Sequence, residues 1–464
     1  MNKPMQWPRL ALVSAALGCV GGCHTPAPPC IGCLDVPDVA IADDAADAQN
    51  DAADIGIQGD AGPQDLQRDI VLTTLSFDVT AHTGHARIQL AASPTPGVAF
   101  EAGGLQITAA HDDATGAAVT VMMDASLIHL AVPAAANTVD IDFSYQEHSP
   151  ADFMGANAGY TLLWPYYCGN LYPCHSDPAH GSQYALSLTG VPSGMIAVYP
   201  PQIIANAPAY QLAWAVGDYA SISLGTTTAG THLTVHHFPA DATRAQTGSA
   251  HLVAAFDWYE QTLGPYPFGS EAGSVEVAWP PGAYGGMEHH PLWHIGEAAI
   301  DDELTHMHEA AHGWFGDGIR IACWEDFVLS EGTVNYLASR AMGAVEGSAA
   351  EAAVWTRYNA TPGGFALPAW PDSCHSVDVI RDHLFSSAPY IRGANFYRAL
   401  ENRIGRTMID GVLRQFVTDH RGGAARLIDL LALVQRMSGY DPTDCAVAWL
   451  RPSSASMRGP ATCL

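Results

Sequence analysis

Three histidines and a glutamate lie close together in the segment THMHEAAHGWFGD, residues 305–317. His308 and His312 are four positions apart, so on a helix their imidazoles share one face and can reach the same ion. Glu309 would project beside that ion, close enough to act as a general base without binding it. His306 lies two positions before His308, and therefore on another face, so we expect a structural role for it.

A zinc ion that activates water needs three protein ligands and an open position. Glu331, in the segment LSEG, starts a second helical pattern downstream of His312 and is the predicted third ligand. We expect one Zn²⁺ per chain, held by His308, His312 and Glu331. The alternative interpretation of these residues is a helical surface that carries no metal.

The elements around this segment change in character along the chain. Short alternating or β-branched runs, such as IVLTTLSFDV and THLTVHHF, predict an antiparallel β-rich domain over residues 71–240. From residue 241 the pattern becomes mixed, with a strand in SVEVAWP and helical periodicity in SAHLVAAFDWYEQTLG. Further helices are predicted at 301–316, 330–343, 390–404, 408–419 and 424–437.

The N-terminus has the composition of an export signal. Residues 1–23 combine a basic start with an apolar run too short to span a bilayer, and small residues then precede Cys23. This end resembles a bacterial lipoprotein signal, with Cys23 as the lipid anchor in preference to Cys19. An ordinary cleaved signal is the alternative. Residues 24–70 are rich in Ala, Asp, Pro and Gly and predict a disordered tether.

Charge and cysteine content indicate where the protein works. The formal net charge of −28 argues against a nucleic-acid-binding surface, and we expect membrane contact only through the lipid anchor. We expect an exported lipoprotein of the cell envelope, on the outer membrane or cell surface, or otherwise a periplasmic or secreted protein. Ten cysteines fit an oxidising compartment. The expected pairs are Cys30–Cys33, Cys168–Cys174, Cys323–Cys374 and Cys445–Cys463, although Cys30 and Cys33 form a CxxC that could instead bind metal or act in redox chemistry.

Several longer segments resemble one known family. HEAAHGWFGDGIRIACWEDFVLSEG is similar to the zinc signature of the aminopeptidase N family of gluzincins, which includes leukotriene hydrolase. LYPCHSDP, FDWYEQTLGPYPFGS, YGGMEHH and PYIRGANFYRAL resemble other family segments, and the similarity covers most of residues 160–450. The resemblance implies a thermolysin-like α+β, mostly helical zinc-peptidase domain over residues 241–450, followed by a tail at 451–464.

The resemblance also implies roles outside the metal ligands. Tyr390 would donate a hydrogen bond to the oxyanion formed during hydrolysis. Glu288 would pair with the free α-ammonium of a peptide, which limits cleavage to the N-terminal residue. Gly285, Gly286 and Met287 would let the substrate backbone approach like an added strand. A half-buried tyrosine and a surface glutamate in a glycine-rich loop are the plain alternatives for Tyr390 and Glu288.

Four positions depart from the family pattern. His289 and Ser330 each stand where the family has asparagine, and Arg392 replaces lysine. Trp164 lies near the place of a glutamine that also helps to bind the amine. The expected function is a zinc aminopeptidase acting on peptides. An endopeptidase or non-peptide hydrolase on the same site, or a surface binding protein without turnover, remains as an alternative. Substrate, side-chain preference and oligomeric state do not follow from the sequence.

Overall fold

A computed structural model describes residues 65–463 apart from 66, 125, 150–153, 281–283, 362–367, 454, 455, 457, 461 and 462. The predicted signal peptide, the Cys23 anchor, the Cys30–Cys33 pair and almost all of the predicted tether lie outside the described residues.

The strands of the first half are β1 (Ile70–Asp78), β2 (Thr83–Leu90), β3 (Val98–Glu101), β4 (Gln106–Asp112), β5 (Val121–Met123), β6 (Leu127–Leu130), β7 (Thr138–Ser144), β8 (Gly155–Ala156), β9 (Thr161–Leu162), β10 (Ser182–Thr189), β11 (Ile196–Val198), β12 (Gln202–Ala207), β13 (Ala215–Gly217), β14 (Ala220–Thr226) and β15 (His232–His237). The later strands are β16 (Glu271–Val277), β17 (Gly286–Met287), β18 (Leu292–Gly296), β19 (Arg320–Ile321) and β20 (Ala424–Ala425). The helices are α1 (Ala242–Gly248), α2 (Leu252–Leu263), α3 (Glu303–Ala311), α4 (Thr333–Glu346), α5 (Ser348–Ala360), α6 (Gly393–Ile404), α7 (Arg406–His420), α8 (Leu427–Ser438) and α9 (Thr443–Leu450).

A six-stranded sheet dominates the N-terminal half, in the order β12-β10-β1-β2-β7-β4. Alternation places one face of each strand in the core, as Leu75 and Phe77 of β1 show, each 1% exposed. The sheet is mixed rather than purely antiparallel as predicted, because β1 pairs in parallel with β10. A parallel pair needs a long connection, and here about a hundred residues separate the two strands.

The second sheet crosses the predicted boundary at residue 240. Its order is β14-β15-β16-β18-β17, so two strands from the β-rich half join the strands that follow α2. β15 runs parallel to β16 with α1 and α2 in the crossover between them. Strand periodicity identifies β14 and β15 as strands but does not reveal which sheet they join.

The C-terminal half is mostly helical, which confirms the predicted fold class of a β-rich N-terminal region before a helical domain. The helix that carries the histidine motif is shorter than predicted, since α3 ends at Ala311 and His312 is its capping residue. The prediction omitted α1, α5 and α9. None of the helices in the described part of the chain is long and apolar enough to cross a bilayer.

Disulfides join Cys168 to Cys174, Cys323 to Cys374 and Cys445 to Cys463, as predicted. The second of these ties the loop before Glu331 to the segment that leads to Tyr390.

Candidate metal and peptidase site

Three side-chain atoms converge where α3 meets α4. The Nε2 atoms of His308 and His312 are 3.3 Å apart, and Glu331 Oε2 lies 3.1 Å from the first and 3.5 Å from the second. Zinc bonds of about 2.0–2.1 Å in a tetrahedron place ligand atoms about 3.3 Å apart. The three predicted ligands therefore already have the spacing that a tetrahedral zinc ion requires.

Hydrogen bonds on the outer side of each ring fix the tautomers. His308 Nδ1 donates to Asn335 Oδ1 at 2.9 Å, and His312 Nδ1 donates to the Phe315 carbonyl at 3.0 Å. With the protons on Nδ1, both Nε2 atoms carry lone pairs towards Glu331 Oε2, and this oxygen accepts no hydrogen bond from the described part of the chain. Three converging lone pairs in a buried site fit a cation, and the site therefore suits zinc.

The charge of the site leads to the same conclusion. Glu288, Glu309 and Glu331 are each 4% exposed, and within the described residues none of them forms an ion pair with an arginine. Burial raises the pKa of Glu309, with further contributions from Glu288 and Glu331 against the opposing effect of His312. A group of buried carboxylates is costly without a positive partner, and a divalent ion supplies that charge.

The predicted third ligand and the predicted oxyanion donor lie on two packed turns of π-helix. Glu331 belongs to Val328–Gly332 and Tyr390 to Ala388–Arg392. A Cβ added at Gly332 would lie 2.8 Å from the Gly393 Cα and 3.0 Å from the Pro389 carbonyl oxygen. Only glycines let the two turns approach this closely, and such turns often occur at functional sites.

Tyr390 lies over the first histidine ligand. Its ring is stacked on the His308 imidazole, with centroids 6.2 Å apart and planes inclined by 19°. Burial raises the pKa of Tyr390, and the neighbouring Glu331 and Glu288 raise it further. The phenol therefore keeps its proton at neutral pH and can act as a hydrogen-bond donor at the metal centre.

The segment YGGMEHH forms the edge of the second sheet beside α3. Gly286 and Met287 are the two residues of β17, which pairs with β18 and, among the described residues, has no strand on its other side. Gly286 packs directly against the Glu309 carboxylate. A Glu288 oxygen lies within 4.8 Å of ligand atoms of His312 and Glu331. An edge strand next to buried carboxylates can bind an extended peptide through its N-terminus.

The structure separates the remaining histidine of the motif from this centre. His306 is fully buried, and its Nε2 donates to the Ile300 carbonyl at 2.9 Å. This arrangement agrees with the structural role predicted for it.

The four departures from the family pattern have different surroundings. Ser330 Oγ lies 3.4 Å from His312 Nδ1, and His289 is buried with its ring 4.7 Å from that of His294. Arg392 points away from the centre and donates to the Trp449 and Pro452 carbonyls. Trp164 offers no amide to the site and packs among aromatic rings instead.

Sequence reasoning missed several residues that support the site. Asn335, which orients His308, lies four positions after Glu331, and that spacing was a usable signal. Tyr210 donates to Asp317 at 3.3 Å, and Gln211 donates to the His290 carbonyl at 2.7 Å. Tyr210 and Gln211 come from the β-rich half and carried no local signal.

Comparison with known proteins finds a family model that matches the C-terminal part of the chain. Residues 251–449 match the peptidase family M1 domain. Over these residues the chain is similar to peptidase family M1. The predicted resemblance to the aminopeptidase N family of gluzincins is thereby confirmed.

The chain is also similar to curated proteins and to solved structures. The chain is 26% identical over 317 residues to aminopeptidase M1-B of Oryza sativa subsp. japonica, covering 60% of this chain and 35% of the relative. It is 32% identical over 179 residues to leucine aminopeptidase 2 of Aspergillus terreus, covering 35% of this chain and 28% of the relative. The chain thus spans less than half the length of these relatives. An M1 zinc metallopeptidase from Deinococcus radiodurans has the same fold, with a TM-score of 0.69, 19% identity, and 85% of this chain and 96% of that chain covered.

Proposed function

We propose that the protein is a zinc-dependent aminopeptidase that removes N-terminal residues from peptides. The observation that carries the proposal is the triangle of His308, His312 and Glu331 ligand atoms, with the carboxylates of Glu288 and Glu309 buried beside it. The M1 relatives named as aminopeptidases support the same activity.

Different residues of the chain would perform different steps of peptide hydrolysis. Zinc, when bound, supplies a Lewis acid that makes water a better nucleophile at neutral pH. Glu309 takes a proton from the attacking water and delivers it to the leaving amine, since it lies beside the ligands. Tyr390 donates a hydrogen bond to the oxygen of the scissile carbonyl as negative charge develops there.

Glu288 makes the enzyme an exopeptidase in this proposal. Its carboxylate is buried near the ligands, so a free α-ammonium can pair with it while the first peptide bond lies at the metal centre. A peptide without the amine leaves that carboxylate unpaired and is bound poorly.

Glu309→Gln tests the mechanism. Zinc content should stay near one per chain, while kcat/KM falls by at least about a hundredfold, the usual loss when a general base is removed. Glu260→Gln is the matched control, because Glu260 is a buried glutamate held by Thr227 and Thr231 away from the site. Undiminished hydrolysis by Glu309→Gln overturns the mechanism.

The exopeptidase assignment has its own experiment. Free and N-acetylated forms of one peptide are digested in parallel, and the products are identified by mass spectrometry. We expect cleavage of the free peptide only, after its first residue. Equal cleavage of both forms would remove the role given to Glu288 and favour an endopeptidase on the same zinc site.

We further propose that the protein is exported and held at the cell envelope by a lipid on Cys23. The support is the signal-like composition of residues 1–23 and the small residues before Cys23. Expression of Cys23→Ser should move the protein from the membrane to the soluble fraction of the envelope. A soluble wild-type protein that incorporates no labelled fatty acid contradicts this proposal.

A further inference from the structure

A cluster of aromatic rings lies beside the metal centre and takes no part in the mechanism above. The Trp164 ring contacts the rings of Tyr284, Trp324, Phe327 and Phe385, with every centroid distance 6.0 Å. We call these five residues the aromatic wall. Trp164 is 5% exposed, whereas Tyr284, Trp324 and Phe385 are only partly buried and leave part of the wall accessible.

The wall reaches the site at two places. Phe327 contacts Tyr390 with centroids 5.7 Å apart, and Tyr390 is in turn stacked on His308. At the other end, Tyr284 is the first residue of the edge segment YGGMEHH that carries Glu288. Burial raises the pKa of Tyr284, and the nearby Tyr167 and the Glu288 carboxylate raise it further. The wall therefore joins the proposed oxyanion donor to the proposed ammonium-binding carboxylate.

The position of a substrate side chain follows from this arrangement if the proposed function holds. The α-carbon of the first residue is one bond from the amine at Glu288 and one bond from the carbonyl at Tyr390. Its side chain must therefore extend from a point between the two ends of the wall. Contact with aromatic carbon favours large apolar side chains, and aromatic ones most.

We propose that the aromatic wall selects peptides with a large apolar N-terminal residue, aromatic above all, and that Trp164 is its main selectivity-determining residue. Trp164 is the ring that all other members of the wall contact.

Asp378 and Glu325 are the carboxylates that could compete for a basic side chain near the wall, and both already accept hydrogen bonds from the protein. Asp378 accepts hydrogen bonds from the Tyr166 hydroxyl and from the backbone N–H groups of Ile380 and Arg381. Glu325 is 1% exposed, and its Oε1 accepts from the backbone of Ser376 and Val377. Glu325 Oε2 is buried without a hydrogen bond in the described part of the chain, so a basic side chain is the competitor that a test must include.

The first measurement compares peptides that differ only in their N-terminal residue: Phe, Leu, Ala, Arg and Glu. We expect kcat/KM for Phe to exceed that for Ala at least about tenfold, with Leu between them and the charged residues below Ala. If no peptide is cleaved by zinc-loaded protein, the proposed function itself fails. If peptides are cleaved but Ala, Arg or Glu is preferred to Phe, only the selectivity proposal is overturned.

Substitutions then identify the residue responsible. Trp164→Ala should lower kcat/KM for the Phe peptide at least about tenfold, while the Ala peptide changes less than about threefold. Phe385→Ala removes a partly exposed ring of the same wall, and its smaller effect should also be confined to the Phe peptide. This second variant keeps the test valid if Trp164→Ala does not fold.

Trp258→Ala is the matched control. Trp258 is a partly buried tryptophan of α2 that contacts Arg340 and lies outside the wall. The Trp258→Ala variant should leave the ratio of kcat/KM for the Phe peptide to that for the Ala peptide unchanged. The wall does not set selectivity if Trp164→Ala and Phe385→Ala each lower kcat/KM for the Phe and the Ala peptide by the same factor. The same conclusion follows if Trp258→Ala changes the Phe-to-Ala ratio of kcat/KM as much as Trp164→Ala does.

Discussion

Asn335 offers a test of the metal site that does not depend on catalysis. Its Oδ1 accepts the Nδ1 proton of His308 at 2.9 Å, and the Tyr358 hydroxyl donates to the same oxygen at 3.2 Å. Asn335 is 3% exposed, so water is poorly placed to replace the bond. Asn335→Ala should let the His308 ring rotate and adopt the other tautomer, in which Nε2 carries the proton.

The expected size of the effect follows from this single hydrogen bond. Loss of an orienting partner usually lowers metal affinity about 10- to 100-fold, or about 1.4–2.7 kcal/mol. Asn335→Asp keeps an acceptor in the same place and adds negative charge, so zinc affinity should stay equal or rise. Tyr358→Phe removes only one donor to Asn335 and should cost less than Asn335→Ala.

Zinc affinity is measured by competition with a chelator of known affinity at one fixed pH, after reconstitution of metal-free protein. Circular dichroism of each variant checks that the fold is retained. The reasoning is refuted if folded Asn335→Ala binds zinc within about threefold of wild type. It is also refuted if Asn335→Asp is as weak as Asn335→Ala, because packing rather than the hydrogen bond would then be responsible.

Three further predictions concern other parts of the molecule. Tyr390→Phe should lower kcat about 10²–10³-fold with KM nearly unchanged in steady-state kinetics; an unchanged kcat contradicts its role. Gly332→Ala places a Cβ 2.8 Å from the Gly393 Cα and should cost about 1–3 kcal/mol and weaken zinc binding. In the control Gly411→Ala, the added Cβ lies in ordinary contact with the Met437 Cε at 3.8 Å within a helix, and this variant should lower neither Tm nor zinc affinity. Burial raises the pKa of Glu276 to about 7, so the folded state binds a proton that the unfolded state releases near its ordinary pKa, and stability should fall by up to about 3 kcal/mol as pH rises from about 4.5 to 7. Glu276→Gln should remove this fall in denaturant titrations at pH 5 and 8; the same fall in the variant rules Glu276 out.

The local chemistry of the site could be predicted because it depends on short spacings. A separation of four residues on α3 brings His308 and His312 together in any fold that keeps the helix. Glu331 was predicted from a second helical pattern downstream of His312, and Tyr390 from the resemblance of a longer segment. The sequence did not give their distances from the histidines, because those distances depend on how the helices pack. The π-turns and the contact between Gly332 and Gly393 had no signal that helical periodicity could reveal.

The strands themselves were predictable from local alternation, but the sheet that each strand joins was not. Alternation in THLTVHHF predicted a strand, but β15 pairs with β16 across the boundary expected at residue 240. The parallel pairing of β1 with β10 likewise depends on a crossover that no short segment specifies.

By itself, the sequence determined the helix with His308 and His312 on one face, the glutamate beside them and the alternation of the strands, because each depends on residues within a few positions of one another. Only the tertiary structure decided what surrounds that face: the edge strand at Glu288, the Asn335 acceptor behind His308 and the ring of Trp164 beside Tyr284. These contacts join residues 27 to 120 positions apart, and their geometry is set by packing.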